Sequence, residues 1–148
     1  MAVQKQNVSL DQQDQQHRQQ DQQQDQQQQQ QLAKKLSLPS LKAFCAICDK
    51  WQLSIDEASD LMGSPPRHLF AQWFSHRENV MLDNIQIKRI SYLLAIFNAL
   101  KTYLPNEMSS LVWIRRPNTE SLFEGKSPLS QMRKGELGFL NELLKFIA

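Results

Sequence analysis

From Gln4 to Gln31 the chain is mostly glutamine with scattered aspartate, and almost nothing apolar lies between Leu10 and Leu32. A stretch of that kind cannot bury enough surface to offset the entropy of ordering it. Whatever core the protein has must be built from the residues that follow. The head is expected to be disordered, or at most a fraying helix leading into Leu32-Ala33-Lys34-Lys35-Leu36. A glutamine tract can also self-associate as a polar zipper. No chemistry is assigned to residues 1–31.

The chain has 148 residues, enough for one domain or two very small ones. The head carries Lys5 and Arg18 against Asp11, Asp14, Asp21 and Asp25, two cations against four carboxylates, hence −2. With +2 for the whole chain, the remainder carries +4. A mildly basic body permits nucleic-acid binding without demanding it. No apolar run approaches the roughly 18 residues of a membrane span, and no apolar h-region marks a secretory signal, so a cytoplasmic, non-membrane protein is expected. The two cysteines fit a reducing compartment.

Beyond the head, the stop and start signals are all helical. Ser37 can cap a helix with Pro39 in its first turn, and Leu41, Phe44, Cys45 and Cys48 fall on one face. Cys45-Ala46-Ile47-Cys48 lacks the βαβ context of a redox pair, and a zinc site would need two more ligands, for which only His68 and His76 are available nearby. The two thiols read as small buried hydrophobes. Ser54-Ile55-Asp56-Glu57 is a capping box opening a short helix with inner positions Ile55, Ala58, Leu61 and Met62, ended by Gly63. Ser64-Pro65 starts the next helix, whose apolar positions are Leu69, Phe70, Trp73 and Phe74. Two short helices behind a third, joined by a glycine-containing turn, read as a helix-turn-helix unit. In that geometry the second helix presents Ser64, Arg67, His68 and Gln72 to base edges, with His76 and Arg77 just beyond. Arg67 suits guanine or phosphate and Gln72 suits adenine. The same unit also serves as plain scaffold, and both readings stay open.

Asp83 can cap a long helix ending near Leu104-Pro105. Ile90, Leu93, Phe97, Leu100 and Leu104 make one stripe on it; Tyr92, Ile96, Ala99 and Tyr103 make a second. A helix apolar on two sides is either central or at a subunit interface. Met108 to Trp113 is a short helix closed by Arg115-Arg116-Pro117, since Pro117 cannot continue it. Gly125 permits a sharp turn, and Ser127-Pro128 starts another helix. The last helix runs from about Leu137 to Ile147, with stripes Leu137, Leu140, Leu144, Ile147 and Phe139, Leu143, Phe146. The surplus stripe is either broad core contact or a partner site.

Gly125-Lys126-Ser127 is not a phosphate loop. Glu120 stands where that motif needs glycine, and Pro128 replaces a needed amide. His17, His68 and His76 form no catalytic constellation with spaced carboxylates or a nucleophile, so no enzyme activity, metal or cofactor is expected.

Two sets of residues together resemble the Xre/MbcA/ParS-type antitoxins of bacterial type II toxin–antitoxin pairs, over roughly residues 36–148. One is Leu53-Ser54, Glu57-Ala58, Leu61, Gly63, Leu69 and Trp73. The other, more specific, is Trp113-Ile114, Pro117-Asn118, Leu122, Gly125, Pro128-Leu129 and the closing apolar helix Leu140 to Ile147. The resemblance implies an all-α protein with a disordered tail over 1–31, a helix-turn-helix DNA-binding domain over 32–80 and a small helical toxin-binding domain over 81–148. It implies binding to a cognate toxin, commonly a RES-domain protein that degrades NAD, and repression of the shared operon through operator DNA. The assembly would be a homodimer or a larger hetero-oligomer with the toxin. The toxin surface it implies falls on Trp113, Arg115, Arg116, Asn118, Lys126, Leu143 and Phe146. Relatives of this type often run past the last helix with a glycine and a short tail. Here the sequence stops at Ala148, so occlusion by the helix face is expected. Pro66 stands where a base-contacting side chain might be expected, which trims the inventory for reading DNA.

Overall fold

The computed structural model describes the backbone of residues 2–148 and the side chains from Ser9 onward. Among the described residues every element is helical, so the protein is all-α. The helices are α1 (Ala2–Lys50), α2 (Ile55–Leu61), α3 (Arg67–Ser75), α4 (Asn84–Tyr103), α5 (Glu107–Arg115), α6 (Pro128–Met132) and α7 (Leu137–Ile147). Single 3-10 turns lie at Arg77–Asn79 and Ser121–Phe123. No helix among these residues is long and apolar enough to cross a membrane.

The first departure from expectation is α1. The sequence argues for an unstructured head and a helix starting at Ser37; the structure runs one helix of 49 residues straight through both. Glutamine is a good helix former, and it has no β-branch to crowd the preceding turn. The head is thus helical yet makes no core: Ser9 to Leu32 are all exposed. Ser37 does not cap. It is fully buried inside α1, where its Oγ donates to the Ala33 carbonyl at 2.6 Å and accepts from the Leu82 amide at 2.9 Å. Pro39 sits in the helix interior and withholds one amide from the ladder. Ser37 thereby satisfies a buried backbone donor delivered from a loop 45 positions away.

The buried stripe of α1 is Leu41, Phe44, Ile47 and Trp51. Cys45 and Cys48 lie on its flank, half-buried, rather than in the core. Desolvation by burial, with Cys45 and Asp49 nearby, pushes the Cys48 thiol up to about 12. The helix ends with Gln52 in the left-handed region (φ 51°), and the Leu53 amide closes back on the Cys48 carbonyl at 2.9 Å.

Helix α4 is central. Asp83 and Gln86 form its capping box, and Ile90, Leu93, Ile96 and Leu100 are buried between α1 on one side and α7 on the other. Of the two stripes read from sequence, Phe97 and Leu104 are half-buried and Tyr103 is exposed. Residues from both 32–80 and 81–148 enter one continuous core.

Gly63, at φ +82°, ends α2 as its position suggests, and a Cβ there would lie 3.1 Å from the Arg89 guanidinium of α4. Helix α2 buries Ala58, Leu61 and Met62, but Ile55 is 78% exposed, so it is not part of the inner stripe. Helix α3 starts at Arg67 after Pro66, and only Phe70 and Trp73 of its apolar positions are buried.

Replacing Ser37 by alanine leaves the Leu82 amide buried without a partner. The expected cost is about 2 kcal/mol, seen as a lower urea midpoint at unchanged slope. An unchanged midpoint would show that this bond carries no stability.

Candidate nucleic-acid and partner-binding surfaces

The residues suggested for DNA contact lie on and around α3. Arg67 and His68 occupy its first turn and Gln72 follows one turn after His68; all three are exposed. Helix α3 contains no carboxylate, and Arg67 and Arg77 make no ion pair among the described residues. Ser64 is less free: at φ 54° its Oγ donates to Asp60 Oδ1 at 3.2 Å. Arg77 lies on the 3-10 turn after α3, close enough to Cys45 of α1 for its charge to favour the thiolate there, although burial raises that thiol overall. The structure therefore brings Arg67, His68 and Gln72 onto one short helix and sets Ser64 and Arg77 at its two ends.

The corner after α5 is built around Phe123, which is fully buried. Trp113 meets it edge-on at 5.8 Å, Phe146 at 5.5 Å and Phe139 at 6.5 Å between ring centroids. Edge-to-face rings at these separations attract beyond the area they bury. The Phe123 carbonyl accepts from the Lys126 amide at 2.9 Å and from the buried Gln131 side-chain amide at 2.8 Å, which ties the turn to α6. Asn118 organises the loop: its side chain accepts from the Glu120 amide at 3.0 Å, and its own amide donates to the Lys126 carbonyl at 3.1 Å. Glu124 and Gly125 are both at positive φ, which lets Lys126 turn back, and Ser127 caps α6 through the Ser130 amide. Glycine at the second position makes the pair cheap.

The seven residues expected to meet a toxin separate into different roles. Arg115 does not face outward at the pole of its own helix. Its guanidinium crosses to the opposite half, where it donates to both Glu57 carboxylate oxygens at 3.0 and 3.1 Å and to the Trp51 and Gln52 carbonyls at 3.1 and 2.9 Å. The fork closes the end of α1 and grips the start of α2 through Nη1 and Nη2, while the residue itself stays exposed. Leu143 is fully buried in the core and presents no surface to a partner; the stripe it belongs to is largely absorbed by the core on α4 and Phe123. Asn118 serves the turn. Trp113 is half-buried, whereas Arg116, Lys126 and Phe146 are exposed.

The sequence reading missed what surrounds them. Met108 is 60% exposed, and Val112 one turn later and Tyr103 are also exposed; with Leu104, Trp113 and Arg116 around it, this end of α5 forms a shallow recess of about 420 Å³. A nine-residue helix offers too few turns for its apolar spacing to say which face lies inward. The reading also missed Arg133, which donates to Asp60 at 2.9 Å and latches the far end of α2.

Glu57 is opposed by burial, which raises its carboxyl, but the hydrogen bonds from Arg115 and the Ser54 amide, with the Arg115 charge, more than reverse this and hold it below the usual range. A carboxyl depressed in the folded state adds stability above its unfolded value, near 4.5, that is lost as pH falls through the lower folded value. Glu57→Gln should therefore destabilise at pH 7 and flatten the loss of stability below pH 4.5, measured by thermal unfolding across pH. A parallel pH profile in the variant would remove Glu57 from that role.

No family model matches the chain, and no solved structure matches it. It is 37% identical over 97 residues to the uncharacterized protein y4oB of Sinorhizobium fredii (strain NBRC 101917 / NGR234), a match that spans 66% of this chain and 72% of that protein. The chain belongs to the same family as y4oB.

Proposed function

We propose that this member of the y4oB family is the antitoxin of a type II toxin–antitoxin pair, acting in the cytoplasm. It binds and occludes a cognate protein toxin, for which a RES-domain, NAD-degrading enzyme is the first candidate. The observation that carries the reading is the exposed apolar end of α5 beside an unpaired arginine. Met108, Val112 and Trp113 line one recess with Arg116, which makes no ion pair among the described residues. An aromatic and an arginine anchor in one patch is the composition that binding hot spots favour. The patch lies on the stretch that resembles the toxin-binding domain of the Xre/MbcA/ParS type. Phe146 and Lys126 extend it; Arg115 and Leu143 are assigned to the scaffold.

The second activity is repression of the antitoxin's own operon through α3. Arg67 and His68 at the start of that helix, with Gln72 one turn on, supply a phosphate contact and two base contacts. The modest number of cations makes this a binding mode that needs two copies or the toxin complex on DNA.

The deciding experiment is co-purification of the tagged chain with its native partner, followed by expression of that partner alone. A stoichiometric protein that stops growth without this chain supports the antitoxin reading. Recovery of the chain bound only to DNA replaces it with a free-standing helix-turn-helix regulator whose C-terminal half dimerises it. Within the antitoxin reading, Arg116→Glu with Met108→Ala should weaken toxin binding at least tenfold by calorimetry and leave the fold intact. Arg67→Ala should leave toxin binding unchanged while weakening operator binding and flattening its salt dependence.

A further inference from the structure

The overhanging part of α1 carries a pattern that its composition hides. From Asp11 to Gln31 every residue is glutamine except His17 and five charged residues. Those five, Asp11, Asp14, Arg18, Asp21 and Asp25, are spaced three, four, three and four apart, and the same stripe continues seven and then four residues on to Leu32 and Leu36. This is the repeat of a helix seam that meets another helix. On α1 the seam is bare: all five charges and both leucines are exposed, as is Leu10 at 58%. A helix that projects about 36 Å with no buried face and one weak internal pair, His17 to Asp21 at 3.9 Å, gains its stability from something else.

The charges say what that is. Residues 9–25 of α1 hold four aspartates against Arg18, whereas residues 26–42 hold Lys34, Lys35 and Lys42 with no carboxylate. A parallel pairing of two such helices would lay acid on acid and base on base. An antiparallel pairing lays each acidic half along the basic half of the other. We propose that the overhang of α1 pairs antiparallel with the same segment of a second copy of this chain, through the Asp11–Leu36 stripe. The register that sets Arg18 opposite Asp25 of the second copy does so twice, by symmetry. It also brings Asp11 within one turn of Lys35 of the second copy. The pairing is isologous. It requires no toxin and no DNA, so it stands or falls separately from the function proposed above.

Sedimentation equilibrium of the full chain at low salt tests it. The expected result is a dimer that dissociates as salt rises and whose helix signal in circular dichroism falls on dilution. Arg18→Glu and Asp25→Arg should each weaken the dimer at least about tenfold, because each places like charges together at two symmetric points. The double variant R18E/D25R restores the opposite charges across an antiparallel pair and should recover the wild-type constant to within about threefold. The two positions are seven apart and do not pair with each other within one helix, so a recovery specific to the double variant reports contact between copies. A chain that stays monomeric at about 100 µM overturns the proposal, as does a dimer indifferent to the single reversals. A double variant no tighter than the singles overturns the antiparallel arrangement.

Discussion

Helix α4 is packed by two other helices, and the rest of the body follows from that. Its buried residues Ile90, Leu93, Ile96 and Leu100 form one apolar face, while Ile85 and Leu94 on the same helix stay exposed. The lower part of α1 covers one side and α7 the other. Because α1 belongs to the first half of the chain and α7 to the end, the two halves are held together by the same helix. Burial of this kind is the main favourable term in folding and is non-directional. What gives the assembly its particular arrangement is the polar work at its edges.

That polar work is concentrated on α2, a seven-residue helix too short to persist alone. Its start is gripped by Arg115 from α5 and its end by Arg133 after α6. Glu57 is used twice, once in the capping box with Ser54 and once as the seat of the Arg115 fork. The short helix before α3 is thus tied to the same corner that carries the exposed apolar patch. A partner pressing on that corner acts close to residues that hold the α2–α3 turn, including Gly63 against Arg89.

Much of this was legible in the residues. The Ser54 capping box and the Asp83 cap were readable because the bonds are made within four residues. So were the Gly63 and Gly125 turns, the Ser127-Pro128 start and the bounds of α7. What could not be read needs a partner far along the chain. Ser37 looks like a cap until the Leu82 amide is seen to arrive at it. Arg115 and Arg116 are adjacent and chemically alike, yet one is committed to α1 and α2 and the other is free; nothing local distinguishes them. Leu143 and Phe146 share a stripe, but only the outer one reaches the surface. The glutamine head differs for another reason: the entropy argument asks what a segment buries, and residues 9–32 form helix while remaining exposed.

The thiols on the flank of α1 have a chemical consequence. Only a thiolate attacks a disulfide, an oxidant or an alkylating agent at a useful rate. Burial pushes the Cys48 thiol up to about 12 and raises Cys45 as well, although the Arg77 charge opposes this at Cys45. A spacing that in other surroundings makes a fast redox couple here has both members biased toward the unreactive thiol.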